Sequence, residues 1–327
     1  MREENRLHIF TWHIHGSYLY YLSQGNYTIY IPVNRDRTDR NIGRGETFPF
    51  GENVIEVDVA DIPKLRIDCI LYQHKENYSS DQYRILTKDQ RKLPRIYLEH
   101  DPPWQHPTDT KHVVDDPDVV VVHVTHFNRL MWDNHGNRTT VIEHGVTDKG
   151  VAYDGSLAKG IVVINNLPSR GRLLGLDIFQ KVRKHIPLDL VGMGTEGVGM
   201  GEVLHPRLPQ FISKYRFFFN PIRYTSFGLA VCEAMMGGLP VVGMATTEMP
   251  TVFTNGANGI IHTDISYLIG QMRRLLDSKR YAEIIGAEGR KTALSRFSIE
   301  RFTNDWERLF RSTTKTGIYE KADSVYQ

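Results

Sequence analysis

The sequence predicts an α/β protein made of two domains, each a parallel sheet with helices on both faces. Three observations lead there. The chain has 327 residues, 40% of them apolar, about two domains' worth with enough apolar content for two cores. Short β-rich apolar runs alternate with segments of helical period through most of its length, the pattern of parallel sheets with crossover helices. One aperiodic stretch rich in Gly, Asp and Lys, TDKGVAYDGSLAKG (147–160), separates two such series and reads as a linker. The expected division is therefore 1–150, 151–312 and a loose polar tail, 313–327.

In the first half, strands are expected at LHIFTWHI (7–14), YTIYIPV (27–33), IDCILYQ (67–73), PRIYLEH (94–100), DVVVVHVT (118–125) and TTVIEHGV (139–146). Between them SSDQYRILTKDQRKL (79–93) has helical period and an early Ser and Asp, so it reads as a helix. The second half repeats the scheme with GIVVINNL (160–167), LLGLDIFQKVRKH (173–185), LDLVGM (188–193), LPQFISKY (208–215), RFFFNPI (216–222), a helix after Ser226 and VVGMA (241–245). From Ser266 onward the chain reads as wholly helical.

Forty Lys and Arg against 38 Asp and Glu leave a net charge of +2, too little for a protein that neutralises a run of nucleic-acid phosphates. A small anionic ligand stays open. The two cysteines, Cys69 and Cys232, each sit in an apolar run and read as reduced core thiols. MREENRLHIF opens with charges of both signs and leads into no long apolar segment. The expectation is a cytoplasmic protein, with peripheral contact at the inner membrane surface left open.

One stretch carries chemistry. In YTSFGLAVCEAMMGGLPVV (224–242) a strand, RFFFNPI, is followed by a turn at Thr225, Ser226 and Gly228. A helix then runs to about Met236, and Gly237, Gly238 and Pro240 stop it. Free N–H groups and the positive dipole end at such a helix start suit an anion, so 225–228 reads as a phosphate cradle. Seven residues, close to two turns, separate Ser226 from Glu233, which places this lone carboxylate on the side of the cradle. It could accept hydrogen bonds from the vicinal hydroxyls of a ribose; the competing reading is a buried Glu capped by a neighbour.

These residues resemble the signature of the family-4, retaining GT-B glycosyltransferases, E-x-F-G-L-x-x-x-E-A-M-A-x-G-x-P-V-V. Further likenesses follow in order along the chain. YLEHDPP (97–103) is similar to the family's His-Asp strand end, VVHVTHFNRLMW (121–132) to its second strand-to-helix element, and VIEHGV (141–146) to its I-P-N-G-V segment. LDLVGMG (188–194) resembles its L-x-I-V-G-x-G strand and NGANGII (255–261) its D-G-x-N-G. Residues 34–95 carry the weakest likeness. The resemblance implies two Rossmann-like domains facing each other across a cleft, with a helical C-terminal segment. It also implies a nucleotide-diphosphate sugar donor, UDP- or GDP-linked, with no separate cofactor and no metal. Glu233 would hold the ribose, the backbone of Ser226, Phe227 and Gly228 the diphosphate, and His100 the transferring sugar. Gly16, in HIHGS, would allow close approach to the phosphates.

Three departures stand out. Thr225 occupies the place of the family's first Glu, which puts the donor sugar in question. NNLPSRGRLLGLD (165–177) lacks the Arg-x4-Lys pair, leaving Arg170 and Arg172 as the cations for the leaving diphosphate. Glu143 and His144 replace the usual Pro-Asn. Other patterns read as bland. GMGTEG (192–197) fits G-x-G-x-x-G, but no helix pattern follows. His100, His106 and His112 are too irregularly placed for a metal cage, and DDPD (115–118) reads as a turn. Arg35, Arg37, Arg40 and Arg44 fall in a mixed-charge stretch, either a solvated loop or a surface for an anionic acceptor or lipid headgroup.

The sequence reading is thus a retaining, metal-independent glycosyltransferase with an acceptor that is a glycan, a lipid-linked species or a small molecule. A GT-B nucleotide-sugar epimerase and a degenerate sugar-nucleotide-binding module are the alternatives.

Overall fold

The computed structural model describes residues 6–323. The chain divides into two compact units: unit 1 runs to Glu143 and resumes at Glu300, and unit 2 is His144–Ile299.

Unit 1 contains β1 (Leu7–Thr11), α1 (Gly16–Leu22), β2 (Tyr27–Val33), β3 (Val54–Asp58), β4 (Cys69–Tyr72), α2 (Gln82–Ile85), β5 (Arg95–Glu99), β6 (Val119–His123), α3 (His126–Met131) and β7 (Thr139–Val141). All seven strands pair in parallel, in the order β3-β2-β1-β4-β5-β6-β7. Central strands such as β6, whose five residues are all buried, read as continuous apolar runs because both faces are covered. The strand β3 was not anticipated, since VIEVD has charged residues on its exposed edge face.

Unit 2 contains β8 (Leu157–Val163), α4 (Leu167–Arg170), α5 (Leu176–Val182), β9 (Leu188–Val191), α6 (Leu208–Ile212), β10 (Tyr215–Asn220), α7 (Leu229–Met236), β11 (Val241–Met244), α8 (Met249–Val252), β12 (Ile260–His262), α9 (Ile265–Asp277) and α10 (Lys279–Arg296). Its five strands are also parallel, in the order β12-β11-β10-β8-β9. Asp264 and Ser278 cap α9 and α10 by accepting from Ser266 and Tyr281 N–H groups. At the other end of α9, buried Arg216 of β10 donates to the carbonyls of Leu275 and Leu276, filling acceptors the helix leaves open.

Three expectations need correction. Residues 79–93 do not form one helix: a π-turn (Asn77–Asp81), the four-residue α2 and a 3₁₀ turn (Gln90–Lys92) replace it. Asp81, at the junction of the π-turn and α2, accepts from Arg40, whose guanidinium donates to both of its oxygens at 2.7 Å. The C-terminal segment does not stay with the second domain up to residue 312. It forms α11 (Ile299–Asp323), which joins unit 1 from Glu300, where Phe302, Trp306 and Phe310 are fully buried. Trp306 Nε1 donates to Tyr18 Oη at 3.0 Å and Phe310 packs on Tyr27. The part of the expected tail that is described, 313–323, continues this helix; residues 324–327 and the charged first five lie outside the described residues.

Candidate functional site

In unit 2 the strand order reverses between β8 and β10, so loops leaving their C-terminal ends part to opposite faces and open a crevice, the usual ligand position in such sheets. The loop after β10 carries Arg223 and Thr225–Gly228; the loop after β8 carries Arg170 and Arg172. Gly175, at φ +83°, lets the second loop pass the Pro221 carbonyl, which a Cβ would strike.

The turn stands where the sequence reading puts it, ahead of the helix. Thr225–Gly228 is not helical; Gly228 is the N-cap of α7, extended at φ −77° and ψ 139°. The two-turn spacing from Ser226 to Glu233 therefore does not apply, because only the residues from Leu229 onward follow the helix. The N–H groups survive as a feature: among the described residues, no backbone carbonyl accepts from Ser226, Phe227 or Gly228. Phe227 itself is buried, its ring stacked on Phe297 at 5.3 Å, so it anchors the turn and offers only its backbone. A Cβ on Gly228 would meet open space, and its φ suits any residue. Gly228→Ala should therefore fold with unchanged stability, and any loss of nucleotide binding by calorimetry would report a ligand against that backbone. Unchanged binding would remove Gly228 from the cradle.

Beyond the turn α7 is apolar except for Glu233, and ends in a Schellman arrangement in which Leu239 N–H reaches the Ala234 carbonyl and Gly238 takes φ +77°. The Glu233 carboxylate is largely buried and lies 3.3 Å from His205 Nε2. This is the neighbour that the competing reading of Glu233 anticipated.

The cations are organised through Asp177, in the first turn of α5. Arg172 donates to its Oδ2 at 2.7 Å, and Arg223 to both oxygens at 2.6 and 2.7 Å, while also reaching the Arg172 carbonyl. Arg223 holds the Asp177 carboxyl below its ordinary range, and Asp177 in turn raises the Arg223 guanidinium. Two guanidinium groups on one carboxylate leave a net positive charge beside the cradle. Arg170 stands exposed at the end of α4. Arg223 was missed in the sequence, although it lies two residues before Thr225.

In unit 1, His100 follows β5, and its strand neighbour β4 ends one residue before Gln73. Gln73 Nε2 donates to the Trp12 carbonyl and to Thr11 Oγ1, both at 2.9 Å, which turns its Oε1 toward His100 Nε2 at 3.3 Å. That oxygen can only accept, so Nε2 of His100 carries the proton, an assignment made from the network. The His100 ring packs against His15, with centroids 4.0 Å apart, and edge-on to Tyr18 at 4.8 Å. Gly16 opens α1, but a Cβ there would run into the Phe48 ring. Packing within unit 1 is enough to require that glycine.

The other patterns resolve as structure. The first two glycines of GMGTEG serve a close pass of the loop after β9 beside residues 164–166: a Cβ on Gly192 would strike the Ile164 carbonyl, one on Gly194 the Asn166 side chain, and Met193 N–H donates to Asn165 Oδ1. His106 accepts from Thr108 N–H, while His112 faces Glu99 at 3.2 Å, so the three histidines have separate partners. Asp116 of DDPD pairs with Arg95. In 34–45, Arg37 pairs with Glu56, Arg40 with Asp81, and Arg44 with the Phe50 carbonyl, which ties three of the four arginines to other segments of unit 1. Among the described residues no group of three His, Cys, Asp or Glu is arranged to hold a metal, and no helix is long and apolar enough to cross a membrane.

A family model described as glycosyl transferases group 1 matches residues 159–278. An MMP α-(1→4)-mannosyltransferase of Mycolicibacterium hassiacum is 32% identical over 107 residues, 31% of this chain and 23% of the relative. The match thus spans less than a quarter of that protein. Among solved structures, sucrose-phosphate synthase from Thermosynechococcus elongatus superposes with TM-score 0.73 at 15% identity, over 95% of this chain and 100% of that one. HepE from Anabaena, solved in complex with UDP and glucose, gives TM-score 0.65 at 13% identity over 94% and 100%. Identities this low show the fold alone.

Proposed function

We propose that this chain, which has the GT-B fold and matches the glycosyl transferases group 1 family over residues 159–278, transfers a sugar from a nucleotide-diphosphate donor. The observation that carries the reading is the set of N–H groups at Ser226–Gly228 that no backbone carbonyl accepts among the described residues, at the strand-order reversal and leading into the helix of Glu233. Relatives in fold support a nucleotide donor: HepE was solved with UDP and with UDP-glucose. UDP- or GDP-linked sugar is the proposed donor, and the acceptor is a glycan, a lipid-linked species or a small molecule.

In this reading the cradle and Arg170, Arg172 and Arg223 stabilise the charge that appears on the diphosphate as the anomeric bond breaks. Such fixed donors act without a metal. Glu233 accepts the ribose hydroxyls, and His100, whose Nε2 lies against Gln73 in unit 1, is the residue proposed for the transferring sugar. The leaving phosphate takes the acceptor proton on the face it departs from, which retains the anomeric configuration. Thr225, where the family has a carboxylate, offers a hydroxyl to the donor sugar, so sugar preference follows from that position. The protein is proposed to work in the cytoplasm, with peripheral contact at the inner membrane face when the acceptor is lipid-linked.

Thermal shift against UDP, GDP, ADP and their sugars tests the reading. A ligand at 100 times its Kd stabilises the native state by about 2.7 kcal/mol. Stabilisation by UDP or GDP is expected, and the absence of stabilisation by any nucleotide would sink the proposal. Binding without donor turnover over a broad acceptor panel would favour a binding module, and epimerised donor formed without acceptor would favour the epimerase.

A further inference from the structure

Glu233 is the only charged residue of α7, and a glutamate on a helix has three side-chain torsions to fix before it can meet two hydroxyls at once. His205 is a neighbour that restrains it. His205 comes from a different part of the chain, the loop between β9 and α6, and brings Nε2 to 3.3 Å from Glu233 Oε1. Both side chains are close to nine-tenths buried, at 10% and 12% exposure. The loop that delivers His205 is itself held, since Leu208 N–H bonds to the carbonyls of Leu204 and His205 as α6 begins.

A carboxylate oxygen accepts, so the imidazole donates through Nε2. A carboxylate has about four acceptor positions, so a donor on Oε1 does not by itself exhaust them. Fixing a binding group before the ligand arrives removes an ordering cost from binding. We propose that His205 is a positioning residue: it holds Glu233 in the orientation that accepts the ribose hydroxyls of the donor nucleotide. The proposal rests on the reading that Glu233 binds ribose. His205 touches Glu233 and acts on the nucleotide only through it.

The readout is discrimination between ribo- and 2′-deoxyribonucleotides, which a merely structural histidine would not move. Calorimetry on the full chain compares UDP with 2′-deoxy-UDP, and GDP with 2′-deoxy-GDP. Wild type should prefer the ribonucleotide by about tenfold, the worth of one hydrogen bond to a charged acceptor. Glu233→Gln should reduce that ratio to about threefold or less. His205→Phe, which fills the space without donating, should reduce it similarly, and His205→Gln, which restores an N–H donor, should recover it. A ratio kept at the wild-type value in folded His205→Phe, but lost in Glu233→Gln, overturns the positioning role and leaves the ribose reading intact. No preference in wild type, although the nucleotide binds, overturns both. If His205→Phe does not fold, His205→Asn, whose shorter amide withdraws the donor, is read by the same criterion.

Discussion

Trp306→Ala should destabilise unit 1 by about 3–5 kcal/mol, the range for truncating a buried tryptophan. Trp306 is fully buried, packs on Phe310 with ring centroids 5.1 Å apart, and donates to Tyr18 Oη. Deletion leaves a cavity and removes the donor from a buried phenol, so the transfer and hydrogen-bond losses act together. In a protein of this size the melting temperature should fall by roughly 10 °C. Trp306→Phe keeps most of the volume and should cost about 1 kcal/mol from the lost hydrogen bond and the residual gap. The effect should also reach His100, because Tyr18 is the ring against which His100 packs edge-on. Chemical denaturation followed by far-UV circular dichroism decides it: a loss under 1 kcal/mol for Trp306→Ala would mean that α11 is not a structural part of unit 1.

The second large effect is on stability against pH. His123 at the end of β6 is fully buried, and burial lowers its pKa to about 4 from an ordinary 6.5, against the opposing hydrogen bond to Asn134. Asn134 donates its amide to the carbonyls of Arg129 and Trp132, so its Oδ1 accepts at 2.8 Å from His123 Nε2. Below pH 6.5 the unfolded chain takes up a proton that the folded chain refuses. Stability should therefore fall as pH drops from about 6.5 to about 4, at up to roughly 1.4 kcal/mol per pH unit, and level off below. The total is on the order of 3 kcal/mol. Asp81, Asp148 and Asp177, whose carboxyls are held low by arginines, lose their contribution only below their ordinary pKa near 4, outside this window. His13, also lowered by burial, acts in the same direction, so the comparison needs a matched variant. His123→Gln retains an N–H donor for Asn134 without the titration. Urea denaturation between pH 4 and 7 should show a shallower slope for the variant, and parallel slopes would refute the assignment.

Much of the fold was legible because it rests on local pattern. The β-branched VVVV of β6 and the FFF of β10 read as strands covered on both faces, and Gly237-Gly238 before Pro240 reads as a helix end. The edge strand β3 and the short β12 escaped for the same reason reversed: one face is solvated and polar in the first, and three residues show no period in the second. At the site, the turn at 225–228 and the single carboxylate on the helix after it could be read from the residue types. The position of Glu233 relative to Ser226 could not, since the extended backbone at Gly228 breaks the helical count before Leu229.

What the sequence by itself determined is the class of the fold: two parallel-sheet units, and a turn leading into an apolar helix whose one charged residue is Glu233. These follow from periodicity, propensity and near-neighbour spacing, which act within one element. Only the tertiary structure decided who partners whom across elements. It set His205 against Glu233 from 28 residues away, Arg223 against Asp177 from 46 away, and Trp306 against Tyr18 from 288 away. Such pairs are selected by chain crossing and burial, where a polar group must find a partner or stay in water, and no local pattern in the sequence records which partner it finds.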